Sequence, residues 1–249
     1  MRFRSCRILL ARALKGAGGS CFRSGSHGEF SAPELRKFIE DNTEVVSNHL
    51  TPEIRLRLLT PRCRFWRASP DRWPFADPYW AIYWPGGQAL SRYLLDNPDV
   101  VGLGSVLDLG SGCGATAIAA AMKGASQVLA NDIDPVAGMA ITLNCKLNGL
   151  KPFPVLTKNI IDTELDNWDL VVLGDMFYDE RLADSLHQWL RKCIQKYGTR
   201  VLIGDPGRPQ FVSHGIQKQL KQVAEYSLCE ATKQENYGLS KSAVWSYHP

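Results

Sequence analysis

The chain has 249 residues, of which 45% are hydrophobic, enough for one α/β domain with appendages and a sizeable core. No apolar stretch approaches the roughly 20 residues of a membrane-spanning helix, so membrane insertion is not expected. The net charge of +4 is concentrated at one end: six basic residues (Arg2, Arg4, Arg7, Arg12, Lys15, Arg23) precede Glu29, the first acid, and the other 23 face 25 acids. A body that close to neutral argues against a nucleic-acid surface.

Residues 1–30 read as leader and linker. The leader is rich in Arg, free of acids and contains Ser, and Ile8, Leu9, Leu10 and Leu14 can share one helical face. That pattern predicts a mitochondrial transit peptide and a matrix location. Seven scattered cysteines without a C-x-x-C pair fit a reducing compartment and suggest neither a zinc framework nor a disulfide scaffold.

Residues 31–249 are the folded body, with a helical, aromatic-rich prelude over 31–98 and a core sheet over 99–249. Ser31-Ala32-Pro33-Glu34 opens a helix with a capping-box signature. Thr51-Pro52-Glu53 predicts a second, with proline at its first position. Trp66, Trp73, Trp80 and Trp84 are then interleaved with Pro70, Pro74, Pro78 and Pro85, a proline density that breaks regular structure and predicts a looping cover. Gly86-Gly87-Gln88-Ala89-Leu90 leads into a helix ending near Asp96.

Beyond residue 99, apolar strand-like runs fall at 105–109, 127–131, 153–157, 168–173 and 200–204, with helical patterns between most of them. Asp134 and Pro135 open the clearest helix, with Val136, Met139, Ala140, Leu143 and Leu147 on one face. This alternation predicts an α/β fold built on a doubly wound, mostly parallel seven-stranded sheet of Rossmann-like type. Tyr226–Thr232 and Ala243–Tyr247 predict a terminal antiparallel hairpin, joined by a polar loop with no helix.

The chemistry concentrates at strand tips. Val106-Leu107-Asp108-Leu109 delivers an acid to the glycine turn Gly110-Ser111-Gly112-Cys113-Gly114, and Val128-Leu129-Ala130-Asn131 ends at Asp132-Ile133. Glycines allow positive φ and close approach of a ligand. Asp132 can accept two hydrogen bonds from a ribose diol, as acids do in dinucleotide folds. The turn also fits a loose G-x-G-x-x-A dinucleotide fingerprint. Asp108, however, would repel a pyrophosphate and can pair with an amino group. A ligand with an amine, a nucleoside and a ribose diol fits better, and S-adenosylmethionine is such a ligand. Asp108, Gly110, Ser111, Gly112, Asp132 and Ile133 are the donor-site candidates.

A second constellation follows the strand Trp168–Leu173, whose carboxyl end presents Gly174-Asp175-Met176-Phe177-Tyr178. Ligands of open α/β sheets lie over such ends, so Asp175 and Tyr178 are expected to border the reacting group. Nucleobase-amine methyltransferases carry an Asn/Asp-Pro-Pro-aromatic run here; this chain has Met176 and Phe177 in place of the prolines. An alternative makes Asp175 the cap of the following helix. Cys113 reads as a small tolerated side chain, His187 and His214 as surface or packing residues, and no metal site or dedicated general base is evident.

Asp77-Pro78-Tyr79-Trp80-Ala81-Ile82-Tyr83-Trp84-Pro85-Gly86-Gly87, the glycine turn, Asn131-Asp132-Ile133-Asp134-Pro135 and the D-x-x-Y run at Asp175–Tyr178 together resemble the seven-strand protein-lysine methyltransferases. The resemblance spans about residues 31–249. It implies S-adenosylmethionine as methyl donor and catalytic roles for Asp175 and Tyr178. It also implies Trp84 as a wall beside the donor and Asn159-Ile160 as the adenine-contacting position, where the family often carries an acid. The implied partner is a protein, the electron transfer flavoprotein β subunit, methylated on lysines by a monomeric enzyme. A methyltransferase of RNA or a small molecule would share the donor site. An inactive methyltransferase fold serving as an assembly factor or holdase would show a damaged one.

Overall fold

The computed structural model describes residues 30–66, 73–75, 77–161, 163, 165–236 and 238–249, so the expected leader lies outside the described residues. Helix α1 (Ala32–Asn42) starts at the capping box, with Glu34 accepting a 2.9 Å hydrogen bond from the Ser31 amide. The expected helix at Thr51 does not form. A turn there leads into β2 (Leu56–Leu58), antiparallel to β1 (Glu44–Val46). Ile54, Leu56 and Leu58 are all buried, a period of two that a strand satisfies and a helix does not. Proline at a helix-start position was the weaker of the two local signals.

The aromatic stretch is a cover, as its prolines predict. Trp66, Trp73 and Trp80 pack with Ile39 of α1 and with Val136, Ala140 and Leu143 of a later helix. Then comes α2 (Pro85–Asp96), followed by the repeating units of the sheet: β3 (Ser105–Leu109), α3 (Ala115–Met122), β4 (Gln127–Asn131), α4 (Pro135–Leu147) and β5 (Val155–Leu156). β6 (Leu170–Gly174), α5 (Glu180–Tyr197) and β7 (Arg200–Asp205) continue the pattern. The sheet order is β5-β4-β3-β6-β7-β9-β8, parallel from β5 to β7 and antiparallel at β8 and β9. Central strands such as β6 are buried along nearly their whole length because helices cover both faces.

The close of the chain differs from the sequence expectation in two ways. β8 (Leu220–Ser227) begins six residues before Tyr226, and a short helix (α7, Glu230–Glu235) stands between it and β9 (Lys241–Tyr247). Most of β8 is exposed or half-buried at the sheet edge, so it carries no apolar run to mark it. A helical turn over Pro209–Ser213 (α6) links β7 to this region.

One contact positions everything at the carboxyl edge. The amino end of α2 lies against the tips of β6 and β7. A Cβ on Gly174 would sit 2.6 Å from the Gly87 amide, and one on Gly204 would run into the Gly86 carbonyl and Leu90. Only glycine permits this approach. Gly204→Ala is therefore expected to destabilise the protein by at least about 1–3 kcal/mol, the scale of core overpacking. Urea denaturation checks it: a variant within about 0.5 kcal/mol of wild type would mean that α2 does not rest on β7.

Candidate functional site

The donor-side candidates converge. Gly110, Gly112 and Gly114 all take positive φ (68°, 54° and 83°), and the turn is stitched to the next strand by Ser111 N donating to Asn131 O at 2.8 Å. Asp108 lies beneath it, 2% exposed, accepting from the Ser111 hydroxyl and, at 3.0 Å, from Ala117 N. Burial, with the nearby Asp132 charge adding to it, pushes Asp108 up to about 6, against those two hydrogen bonds. Asp108 therefore shapes the turn from below.

Asp132 occupies the tip of β4. One carboxylate oxygen accepts from Gly112 N at 2.9 Å and the other from Asp134 N at 3.0 Å. A carboxylate offers about four acceptor sites, so two stay available to a diol. Beside it Ile133 is 60% exposed, an apolar face at the cleft with no core role. Asp134 does what the sequence predicts, capping α4 through Val136 N at 2.8 Å. Burial pushes Asp134 up to about 6, with the Asp132 charge contributing.

A Cβ on Gly112 would meet only the Trp80 backbone at 3.9 Å, so the turn and the aromatic cover leave a gap between them. A cradle of glycine backbone, a two-acceptor acid and an exposed apolar side chain fit an adenosyl group. Asn159 is less direct: it is exposed, and its side chain accepts from Ile161 N at 3.0 Å. Ile160 is 8% exposed and packs into the core with Leu107 and Trp168. This pair forms the turn after β5 next to Lys158, whose carbonyl accepts from Asn131 Nδ2 at 2.8 Å.

The acceptor side carries the larger surprise. Tyr178 is 38% exposed at the mouth, and its hydroxyl is raised by burial of the ring and by the charges of Asp132 and Asp179. Asp175 does not open to the cleft. It is 5% exposed, and at φ 57° it is the one non-glycine residue with positive φ among the described residues. Aspartate tolerates that conformation better than most residues, yet it still carries strain. Its Oδ2 accepts from Gly86 N and Gly87 N, and its Oδ1 from Arg208 Nε (3.0 Å) and Nη2. Asp175 is thus a cap, but of α2 rather than of the following helix, which Asp179 caps through Leu182 N at 3.0 Å. A carboxylate among the free amides of a helix amino end is stabilised by the helix dipole.

Two residues here escaped the sequence reading, Asp205 and Arg208. Each is nearly fully buried, and the ion pair Arg208–Asp175 has both side chains 4% exposed. Removing one partner of such a pair costs about 3–5 kcal/mol, because the other charge is left alone. Asp205 Oδ1 accepts from Gly207 N and Arg208 N, both at 2.7 Å, while its Oδ2 has no partner. The signal for them was an acid at a strand tip followed by Pro206-Gly207-Arg208, a turn that places the guanidinium back over the strand ends. Arg208 also stacks on Trp84, its Cζ 5.5 Å from the ring centroid. The indole of Trp84 in turn donates to Tyr79 O at 2.9 Å. Among the described residues no cluster of His, Cys, Asp and Glu could hold a metal ion.

Burial, followed by the Asp175 charge, pushes Asp205 up to about 8. An acid raised in the folded state contributes stability that is complete below its unfolded value near 4 and is lost as pH rises through its folded value. Wild type is therefore expected to lose stability between about pH 6 and 8 partly through Asp205. Asp205→Asn keeps the acceptor oxygen and should flatten that slope. Urea midpoints at the two pH values test this, and parallel slopes would show that Asp205 is ionised throughout.

A family model described as lysine methyltransferase matches residues 80–217, more than half of the chain. The chain is 67% identical, over 97% of its length and 94% of the relative's, to the human electron transfer flavoprotein beta subunit lysine methyltransferase. It is 71% identical to the protein of that name from Rattus norvegicus, over 87% of this chain and 85% of that one. Among solved structures it is similar to the ribosomal protein L11 methylase of Lactobacillus delbrueckii subsp. bulgaricus, with 19% identity, a TM-score of 0.47, and coverage of 66% of this chain and 80% of that one.

Proposed function

The chain belongs to the lysine methyltransferase family, and from that membership we propose that it methylates lysines of the electron transfer flavoprotein β subunit in the mitochondrial matrix. The observation that carries the substrate is 67% identity over nearly the whole of both chains to a relative named for that subunit. The location rests on the acid-free, Arg-rich leader. A near-neutral body without the paired prolines after Asp175 favours a protein over RNA.

S-adenosylmethionine, when bound, supplies an electrophilic methyl group on a sulfonium. Asp132 would accept from the ribose hydroxyls, Gly110, Ser111 and Gly112 would let the ligand lie close to the backbone, and Ile133 would offer an apolar face to the base. Trp84 would wall the site beside the donor, where the methyl group meets the acceptor, and Tyr178 would wall the acceptor side. The protein's task is alignment: an amine held in line with the methyl group needs no covalent enzyme intermediate. Free lysine titrates near 10.4, so near pH 8 only about a few amines in a thousand are neutral. Desolvation between aromatic walls favours that neutral form. Asp175 supports the walls from behind, since both its oxygens are already engaged.

Asp132→Ala is expected to abolish donor binding and leave the fold intact, because a half-buried strand-tip acid in a cleft is not core. Calorimetry with the donor and a thermal melt decide: unchanged affinity with a loss on the order of 3 kcal/mol would make Asp132 structural. Incubating the enzyme with labelled donor and the isolated β subunit tests the substrate. Label on lysines of that protein is the expected result, and label on RNA or small molecules alone defeats the reading. Deleting residues 1–28 should leave this activity near wild type and move the protein to the cytosol; continued mitochondrial import would remove the transit-peptide assignment.

A further inference from the structure

We propose that Arg208 is a positioning residue for methyl transfer, tying the Asp175 turn to the Trp84 ring and so fixing the acceptor-side wall. The inference rests on the methyltransferase reading and deepens it. Four observations carry it, and they draw on three separate segments. Arg208 reaches Asp175 with two nitrogens, Nε at 3.0 Å and Nη2, both donating to the single oxygen Oδ1, a convergence that the planar guanidinium allows and an ammonium does not reproduce. The flat of the same guanidinium lies 5.5 Å from the Trp84 centroid, within cation–π range. Its own backbone amide is pinned to Asp205 at 2.7 Å, so the side chain leaves a fixed point at the tip of β7. Nη1 is buried without a partner, as is Oδ2 of Asp205.

A buried ion pair placed only for stability would be expected to spend all its hydrogen bonds, because each unmet buried group is costly. Here Nη1 of Arg208 is left unmet beside the residue that the D-x-x-Y run brings to the strand tip. Trp84 is also held by the bond from Nε1 to Tyr79 O at 2.9 Å and by the tilted Tyr79 ring, 6.3 Å away between centroids, so the guanidinium is one of three contacts that set its orientation. Without the guanidinium on its face the ring can tilt, and the wall that should align the amine is lost. The expected signature is a fall in turnover with donor binding preserved. Lysine at 208 would keep the charge but not the two converging nitrogens or the flat stacking face, so it should not substitute.

The experiment uses the full chain, with S-adenosylmethionine and the isolated electron transfer flavoprotein β subunit as probes. For Arg208→Ala, kcat is expected to fall about 100-fold with donor Kd within about threefold of wild type, and added guanidinium ion should restore about tenfold. Arg208→Lys should lose about tenfold in kcat with the same donor Kd. A readout independent of activity accompanies both. In the nitrogen–proton spectrum the Trp84 indole signal, assigned from Trp84→Phe, should shift or broaden while those of Trp66 and Trp168 stay in place. An unmoved Trp84 signal in Arg208→Lys overturns the inference, as does a kcat within about threefold of wild type. If Arg208→Ala does not fold, Arg208→Lys decides alone on both readouts. A wild type that binds donor but labels no β subunit defeats the substrate assignment instead, and the Trp84 signal still judges Arg208.

Discussion

The amino end of α2 rests on the tips of β6 and β7, and the site is assembled around that contact. Gly86, Gly174 and Gly204 bring backbone so close that no side chain fits between. A helix end pressed against a sheet leaves free amides away from water, and unmet buried donors are costly. Trp84, at the cap position, has no side-chain cap bond of its own to offer. Asp175 supplies it from the neighbouring strand, at the expense of a left-handed backbone. Its other oxygen then takes Arg208, and Arg208 takes the face of Trp84. Helix, strand tip and aromatic wall are three views of one set of hydrogen bonds.

The same edge of the sheet gathers acids that burial makes uncomfortable. Asp108 and Asp134 are pushed up to about 6, Asp205 to about 8, and Asp132 is raised as well. None of this favours stability at neutral pH, since each acid folds most readily when protonated. Two of the four, Asp108 and Asp132, lie beneath or beside the glycine turn, and Asp134 caps the helix that follows. Stability given up at strand tips is the usual companion of a preorganised site.

What could be read from the sequence and what could not divides by range. The glycine turn, the acid at Asp132 and the cap at Asp134 depend on neighbours a few positions away, and the parallel strands announce themselves as apolar runs. Those readings needed only local chemistry. The strand at Leu56–Leu58 was hidden because Pro52 sent a competing local signal, and β8 because an edge strand carries no apolar run. Asp175 was visible as an acid at a strand tip, but its partners are Gly86 and Arg208, distant in sequence on either side. No window of residues contains that arrangement. Arg208 was invisible for the same reason, since its meaning comes from the fold.

This bears on how a D-x-x-Y run should be understood in this chain. An aspartate that simply met an ammonium ion would stabilise the charged, unreactive form of the lysine. A carboxylate already neutralised by Arg208 and by helix amides imposes no such penalty. On the proposed reading, the incoming side chain would then meet the aromatic faces of Trp84 and Tyr178. Such faces tolerate a neutral amine before transfer and attract the methylated cation after it. Sequestering Asp175 thus serves the chemistry better than exposing it, because the amine must reach the methyl group without its proton.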